Sequence, residues 1–140
     1  MRIVLDTNVL VAGLLSPFGP CGEMVRMVSS GELELCLDAR ILCEYGEVLR
    51  RPKFSFHEDH IAALLDYISF RSHNVASSPL LCSLPDPDDE MFLEVAIAGR
   101  VEYLVTGNHL HFPESLCQGA IILSPGEFIS TYRMRTRMTS

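Results

Sequence analysis

No stretch of this 140-residue sequence approaches the roughly 20 consecutive apolar residues that a membrane-spanning helix needs. The five cysteines are odd in number and form no Cys-x-x-Cys pair. This pattern argues against a disulfide framework and a zinc site, and it favours buried thiols in a reducing cytoplasm. The early apolar run resembles a secretion signal, but Asp6 and Asn8 interrupt it. We therefore expect a buried strand followed by a helix there.

Positive charge is also scarce, and the net charge is −7. Phosphate contacts dominate affinity for nucleic acids, so this balance counts against a nucleic-acid-binding protein unless the acids are concentrated where cations bind. Basic residues cluster at 50–53 and 133–137. Each cluster could be an RNA-facing patch, or instead a solvated surface or loose tail.

The chain has no repeat, low-complexity segment or long linker, and 48% of its residues are hydrophobic. We expect one domain over residues 1–132 and a basic C-terminal tail over 133–140. Apolar runs and helical periodicity predict strands at 2–5, 33–37, 102–106 and 120–124, with a candidate short strand at 80–82, and helices at 9–15, 21–30, 39–51, 58–71, 88–98 and 125–132. This alternation is typical of an α/β fold with a parallel sheet covered on both faces.

Polar residues gather where these strands are predicted to end. Asp6 follows the first strand, Thr106 and Asn108 follow the strand at 102–106, and the run DPDD at 86–89 precedes a helix that packs back towards that strand. Ligands of open α/β sheets bind beyond the carboxyl ends of the strands. A carboxylate after a buried strand is costly to desolvate unless it meets a cation or hydrogen-bond donors.

Helix capping is the simpler interpretation of several of these residues. Asp6 and Asn8 could be no more than N-caps of the first helix. Asp86 has the position of an N-cap before Pro87, and for Asp86 and Asp88 we favour this interpretation. Asp89 is different, because it shares a helical face with apolar residues and could point inward.

Glu44 also lies on the apolar face of its predicted helix, whereas the flank of Glu47 is more polar. Asp6, Glu44 and Asp89 are thus expected to point inward from three separate elements. Without a cation, their convergence would cost several kcal/mol. Oxygen ligands of this kind suit Mg²⁺ or Mn²⁺, and such an ion can polarise a phosphodiester and activate water.

Four motifs in this order resemble the PIN-domain family, and most closely its branch of toxin components of toxin–antitoxin systems: LDTNVLVAGLLSP, ARILCEYGEVLRRPKF, DPDDEMFLEVAIAG and YLVTGNHLHFP. The resemblance covers roughly residues 1–130. It implies a three-layer α/β/α sandwich with a central, mostly parallel sheet. It also implies an endoribonuclease that uses Mg²⁺ or Mn²⁺.

Carried over by position, the resemblance implies that Asp6 and Glu44 are the first two acids of the site. Asp89 matches the third acid best, with Asp86 and Asp88 as second choices. Asp6 and Asp89 would then be direct metal ligands. Glu44 would be a ligand or the base that orients water.

Thr7 and Asn8 match the polar residues beside the first acid, and Thr106 matches the supporting hydroxyl. Asn108 departs from the family pattern, because many members have an aspartate there. An amide oxygen can bind a metal but adds no charge. This departure keeps a second hypothesis open, in which the chain is a weak or inactive module that binds RNA or protein.

Histidines follow this last motif at positions 109 and 111. His111 could contact phosphate or simply pack, and we favour packing. The resemblance further implies an RNA substrate, a cognate antitoxin and a homodimer or higher homo-oligomer.

Two other acidic-pocket α/β classes fit poorly. A phosphatase of the haloacid-dehalogenase type needs a second acid where Asn8 stands. A receiver domain needs a lysine late in the chain, and Lys53 is the only lysine.

Overall fold

The computed structural model describes residues 1–139, and a parallel sheet forms their centre. Its strands are β1 (Arg2–Leu5), β2 (Glu34–Leu37), β3 (His73–Asn74), β4 (Tyr103–Val105) and β5 (Ile122–Leu123). They lie in the order β3-β2-β1-β4-β5, and each neighbouring pair is parallel. Because β1 is central and covered on both faces, its apolar residues Ile3, Val4 and Leu5 are completely buried.

Helices cover both faces of this sheet: α1 (Thr7–Leu15), α2 (Pro20–Ser29), α3 (Ala39–Leu49), α4 (Glu58–Arg71), α5 (Glu90–Ala98) and α6 (Pro125–Thr139). Helix α2 packs against α1 and α6, and α3 packs against α4. Helix α5 lies across β1, β2 and β4. The predicted three-layer α/β/α sandwich is confirmed, and every strand pair in the described part of the chain is parallel. None of the described helices has the length and apolar character that a membrane crossing requires.

The candidate strand at 80–82 was a wrong prediction. The edge strand β3 lies earlier, where His73 and Asn74 pair with Cys36 and Leu37 as the chain leaves α4. The backbone N–H of Leu80 instead donates to the side chain of Glu94. The 80–82 segment is therefore tied to α5 rather than to the sheet.

The last helix is longer than predicted. The sequence predicts an end at residue 132, but α6 continues to Thr139. Arg133 forms an ion pair with Glu23, and Arg135 forms one with Glu102. Residues 133–139 are therefore helical rather than a loose tail. The domain boundary after residue 132 stays a prediction, and Ser140 lies outside the described residues.

One buried tyrosine fixes α3 against the end of the central strand. Tyr45 is completely buried, and its hydroxyl donates to the carbonyl of Leu5 at 2.5 Å. We expect Tyr45→Phe to lower the free energy of unfolding by about 1–2 kcal/mol, because the Leu5 carbonyl loses this donor in a dry environment. Urea denaturation measures this loss. The control Tyr67→Phe removes a hydroxyl from a half-buried ring and should change stability by less than about 0.5 kcal/mol; equal effects would contradict the assignment.

Candidate metal centre

The carboxyl ends of β1 and β4 lie side by side where the strand order reverses direction. The chain crosses from β1 to β2 on one side, and from β4 to β5 on the other. Such a switch point opens a crevice at the carboxyl edge of an α/β sheet. Asp6 follows β1 and Thr106 follows β4, and the Thr106 hydroxyl donates to Oδ2 of Asp6 at 2.7 Å. The predicted proximity of these two residues is confirmed.

Asp6 is a buried carboxylate at the start of α1. It precedes α1 in the N-cap position, yet its side chain makes no capping hydrogen bond. Only 5% of the residue is exposed. Burial raises the pKa of Asp6, and the Thr106 hydroxyl and the backbone N–H groups of Asn8 and Thr7 partly oppose this. The carboxylate therefore occupies a place where its charge is costly unless a cation is near.

The second predicted acid lies on the neighbouring helix. Glu44 is half-buried on α3, and the buried hydroxyl of Thr7 donates to its Oε2. Burial raises the pKa of Glu44; the Thr7 hydrogen bond opposes this, and the negative charge of Asp6 adds to it. Glu47 is exposed. The prediction that Glu44, and not Glu47, points inward is confirmed.

The DPDD run separates into residues with different surroundings. Asp86 is half-buried, and its Oδ1 accepts the backbone N–H of Asp88 at 2.9 Å, so its capping role is confirmed. Asp88 is exposed and lines a surface cleft with Glu44. Asp89 is only 9% exposed, which confirms that it points inward. Its Oδ2 is buried and receives no hydrogen bond of acceptable geometry.

A histidine that sequence reasoning assigned to packing lies beside this carboxylate. Nδ1 of His111 is 2.9 Å from Oδ2 of Asp89, and the His111 side chain is 41% exposed. One donor atom each from Asp86, Asp89 and His111 lie within 4.8 Å of one another. The prediction that His111 simply packs is therefore wrong. The available signal was its position in a short 3-10 turn just beyond the carboxyl end of β4.

The acids at this edge influence one another. The pKa of Asp89 is raised to about 6, first by burial and then by the charge of Asp6, while His111 lowers it. Asp6 and Glu44 lie outside the compact group of Asp86, Asp89 and His111, although the charge of Asp6 raises the pKa of Asp89. Repelling carboxylates with an unsatisfied buried oxygen are a suitable donor set for a divalent cation.

The remaining predicted residues lie on the surface beside the ends of β1 and β4. Asn8 and Asn108 are exposed, and the backbone N–H of Asn108 donates to the Thr106 hydroxyl at 3.1 Å. The Thr106 hydroxyl therefore accepts a hydrogen bond from the segment that follows β4 and donates one to Asp6. This chain of hydrogen bonds fixes the orientation of the Asp6 carboxylate.

The sequence profile that describes the PIN domain matches residues 2–110 of the chain. This range includes every predicted site residue and ends just before His111. Comparison with curated proteins and with solved structures gives no significant match.

Proposed function

Because the chain belongs to the PIN-domain family, we propose that it is a metal-dependent endoribonuclease whose ion is held by Asp6, Glu44 and Asp89. The observation that carries this proposal is the buried Oδ2 of Asp89. It receives no hydrogen bond of acceptable geometry, and it lies among acids whose pKa values are raised by burial. Mg²⁺ or Mn²⁺ suits such oxygen ligands. When bound, the ion would polarise the phosphodiester and supply an activated water.

The protein's own part in the reaction is to position these carboxylates. Thr106 holds one oxygen of Asp6, and Thr7 holds one oxygen of Glu44. These hydrogen bonds fix the orientation of both carboxylates. Glu44 is only half-buried and borders the cleft, so it can also orient a water molecule for attack.

The net charge of −7 counts against nucleic-acid binding, and positive charge near the site partly offsets this. Arg51 lies close enough to Glu44 to lower its pKa, although burial of Glu44 outweighs this effect. Arg50, by contrast, is paired with Glu58. We propose that Arg51 and the bound cation together attract the RNA backbone to the acidic edge. This name denotes the carboxyl edge of the sheet that carries Asp6, Glu44, Asp86 and Asp89.

Glu44→Gln is expected to lower the rate of RNA cleavage about 100-fold or more, because the amide can neither carry the charge nor take a proton. The measurement is initial rate on a fluorescently labelled single-stranded RNA with Mn²⁺. Glu47→Gln is the matched control, since Glu47 lies one turn further along α3 and is exposed. Equal rates for the two variants would remove Glu44 from the site.

A weak or inactive binding module is the second candidate function, and Asn108 favours it. This residue supplies an uncharged amide where many family members have an acid, and it is exposed. Calorimetric titration with Mn²⁺ separates the two proposals. Absence of binding at millimolar metal would favour the binding module over the nuclease.

The toxin role, with a cognate antitoxin and a self-associated form, extends the nuclease proposal. Its support is the resemblance of the four motifs to the toxin branch of the family. Expression of the chain should arrest growth, and co-expression of the product of the neighbouring gene should restore it. Growth arrest by Asp6→Asn as well would separate toxicity from cleavage and contradict this role.

A further inference from the structure

The donor group at the acidic edge contains nitrogen as well as oxygen. Nδ1 of His111 faces Oδ2 of Asp89 at 2.9 Å, and Asp86 completes the group within 4.8 Å. Asp86 uses Oδ1 to cap the following turn, and no described hydrogen bond engages its Oδ2. Three side chains from two segments thus bring potential metal-binding atoms close together.

We infer that His111 is a nitrogen ligand of this metal centre and makes it prefer a first-row transition ion such as Mn²⁺ to Mg²⁺. The inference rests on the proposed function for the presence of a divalent ion. It goes further by assigning a ligand outside the matched family range of residues 2–110. It also assigns Asp86 to the same ion.

The observed spacing fits two ligands of one ion. Adjacent ligands of an octahedral ion with bonds of about 2.1 Å lie about 3 Å apart. The separation of 2.9 Å between His111 Nδ1 and Asp89 Oδ2 is close to this value. The His111 side chain is 41% exposed, so an ion can reach it from solvent.

The alternative is a direct ion pair between His111 and Asp89, which their separation of 2.9 Å also permits. A protonated imidazole that served only to neutralise Asp89 would direct its N–H at the carboxylate. The buried Oδ2 of Asp89 instead receives no aligned hydrogen bond, and the Asp89 residue is only 9% exposed. Buried oxygens of native proteins are rarely left in this state without an ion or water.

The chemistry of the donors then determines the preferred ion. Mg²⁺ favours oxygen ligands and retains its water, whereas imidazole nitrogen suits transition ions. Asn108 further reduces the anionic oxygen available at this edge. The missing charge weakens the binding of both ions, whereas the imidazole of His111 favours Mn²⁺ over Mg²⁺.

Pulsed electron paramagnetic resonance of the Mn²⁺-loaded full chain tests the ligand directly. We expect a ¹⁴N coupling from a coordinated imidazole in the wild type, and its loss in His111→Gln. His109→Gln is the matched control, because His109 lies in the same turn but pairs with Glu127. A ¹⁴N coupling that persists in His111→Gln, or is absent from the Mn²⁺-loaded wild type, would overturn the inference.

Calorimetric titration of the same variants tests the selectivity. His111→Gln should weaken Mn²⁺ binding about tenfold or more, and it should change Mg²⁺ affinity much less. His111→Asp, which restores an all-oxygen site, should bind Mg²⁺ more tightly than His111→Gln does. Equal losses for both ions in His111→Gln would overturn the selectivity while leaving the nuclease proposal intact. A wild type that binds neither ion would overturn both.

Discussion

Asp6→Asn is expected to abolish metal-dependent RNA cleavage and to leave the fold intact. The amide has nearly the same shape, and its oxygen can still accept the hydrogen bond from Thr106. Only the negative charge at the end of β1 is lost. Because we propose that this charge holds the ion, the cleavage rate should fall about 100-fold or more. The measurement is initial rate of RNA cleavage at saturating Mn²⁺, with circular dichroism to verify folding.

Asp66→Asn provides the control for this experiment. Asp66 is an exposed acid of α4, so its substitution removes one negative charge away from the acidic edge. It should retain wild-type cleavage. If Asp6→Asn cleaved RNA as fast as Asp66→Asn, the assignment of Asp6 would be wrong.

Asp89→Asn should make the metal-free protein more stable at pH 7, although it damages the proposed site. Burial and the charge of Asp6 raise the pKa of Asp89 from 3.8 to about 6, so ionisation of this group opposes folding. An uncharged amide removes that cost. Because one pKa unit corresponds to about 1.4 kcal/mol, we expect a gain of about 1–3 kcal/mol in the free energy of unfolding.

The same shift predicts how this gain depends on pH. A carboxyl group whose pKa is raised by folding contributes stability below its unfolded pKa of 3.8, and this contribution is lost as pH rises through about 6. The stability difference between Asp89→Asn and wild type should therefore be small near pH 4 and largest above pH 6. Urea denaturation in the presence of EDTA, repeated across this range, measures the difference.

Added Mn²⁺ should reverse the order of stability. A ligand that binds only the native state raises its stability, so Mn²⁺ should raise the Tm of wild type but not that of Asp89→Asn. The exposed neighbour Asp88 supplies the control, because Asp88→Asn should keep the response to metal. If the metal-free Asp89→Asn protein were less stable than wild type at pH 7, the carboxylate would stabilise the native state and the prediction would be wrong.

The central part of the fold was predictable because its strands are buried on both faces. β1 and β4 appear in the sequence as apolar runs without alternation, and helix periodicity located α4 and α5. β3 was not predicted because its two residues, His73 and Asn74, are too few to show an alternating or apolar pattern. They form a strand because they pair with β2. The extension of α6 was missed because its polar sequence gains support from ion pairs with distant acids.

The candidate site was predictable to the extent that helical faces reveal burial. Glu44 and Asp89 lie among apolar neighbours, and the structure buries each at least partly. His111 was assigned to packing because nothing in its local pattern indicates a carboxylate partner. The proximity of His111 to Asp89 arises from a turn after β4 that meets the turn before α5. Such a contact between loops carries no periodic signal.

Cleavage of single-stranded RNA by the purified wild-type chain, with and without EDTA, tests the central claim most directly. We expect cleavage with Mn²⁺, its loss in EDTA and its recovery when Mn²⁺ is added in excess. Cleavage that continues unchanged in EDTA, or no cleavage at any metal concentration, would contradict a metal-dependent nuclease centred on Asp6.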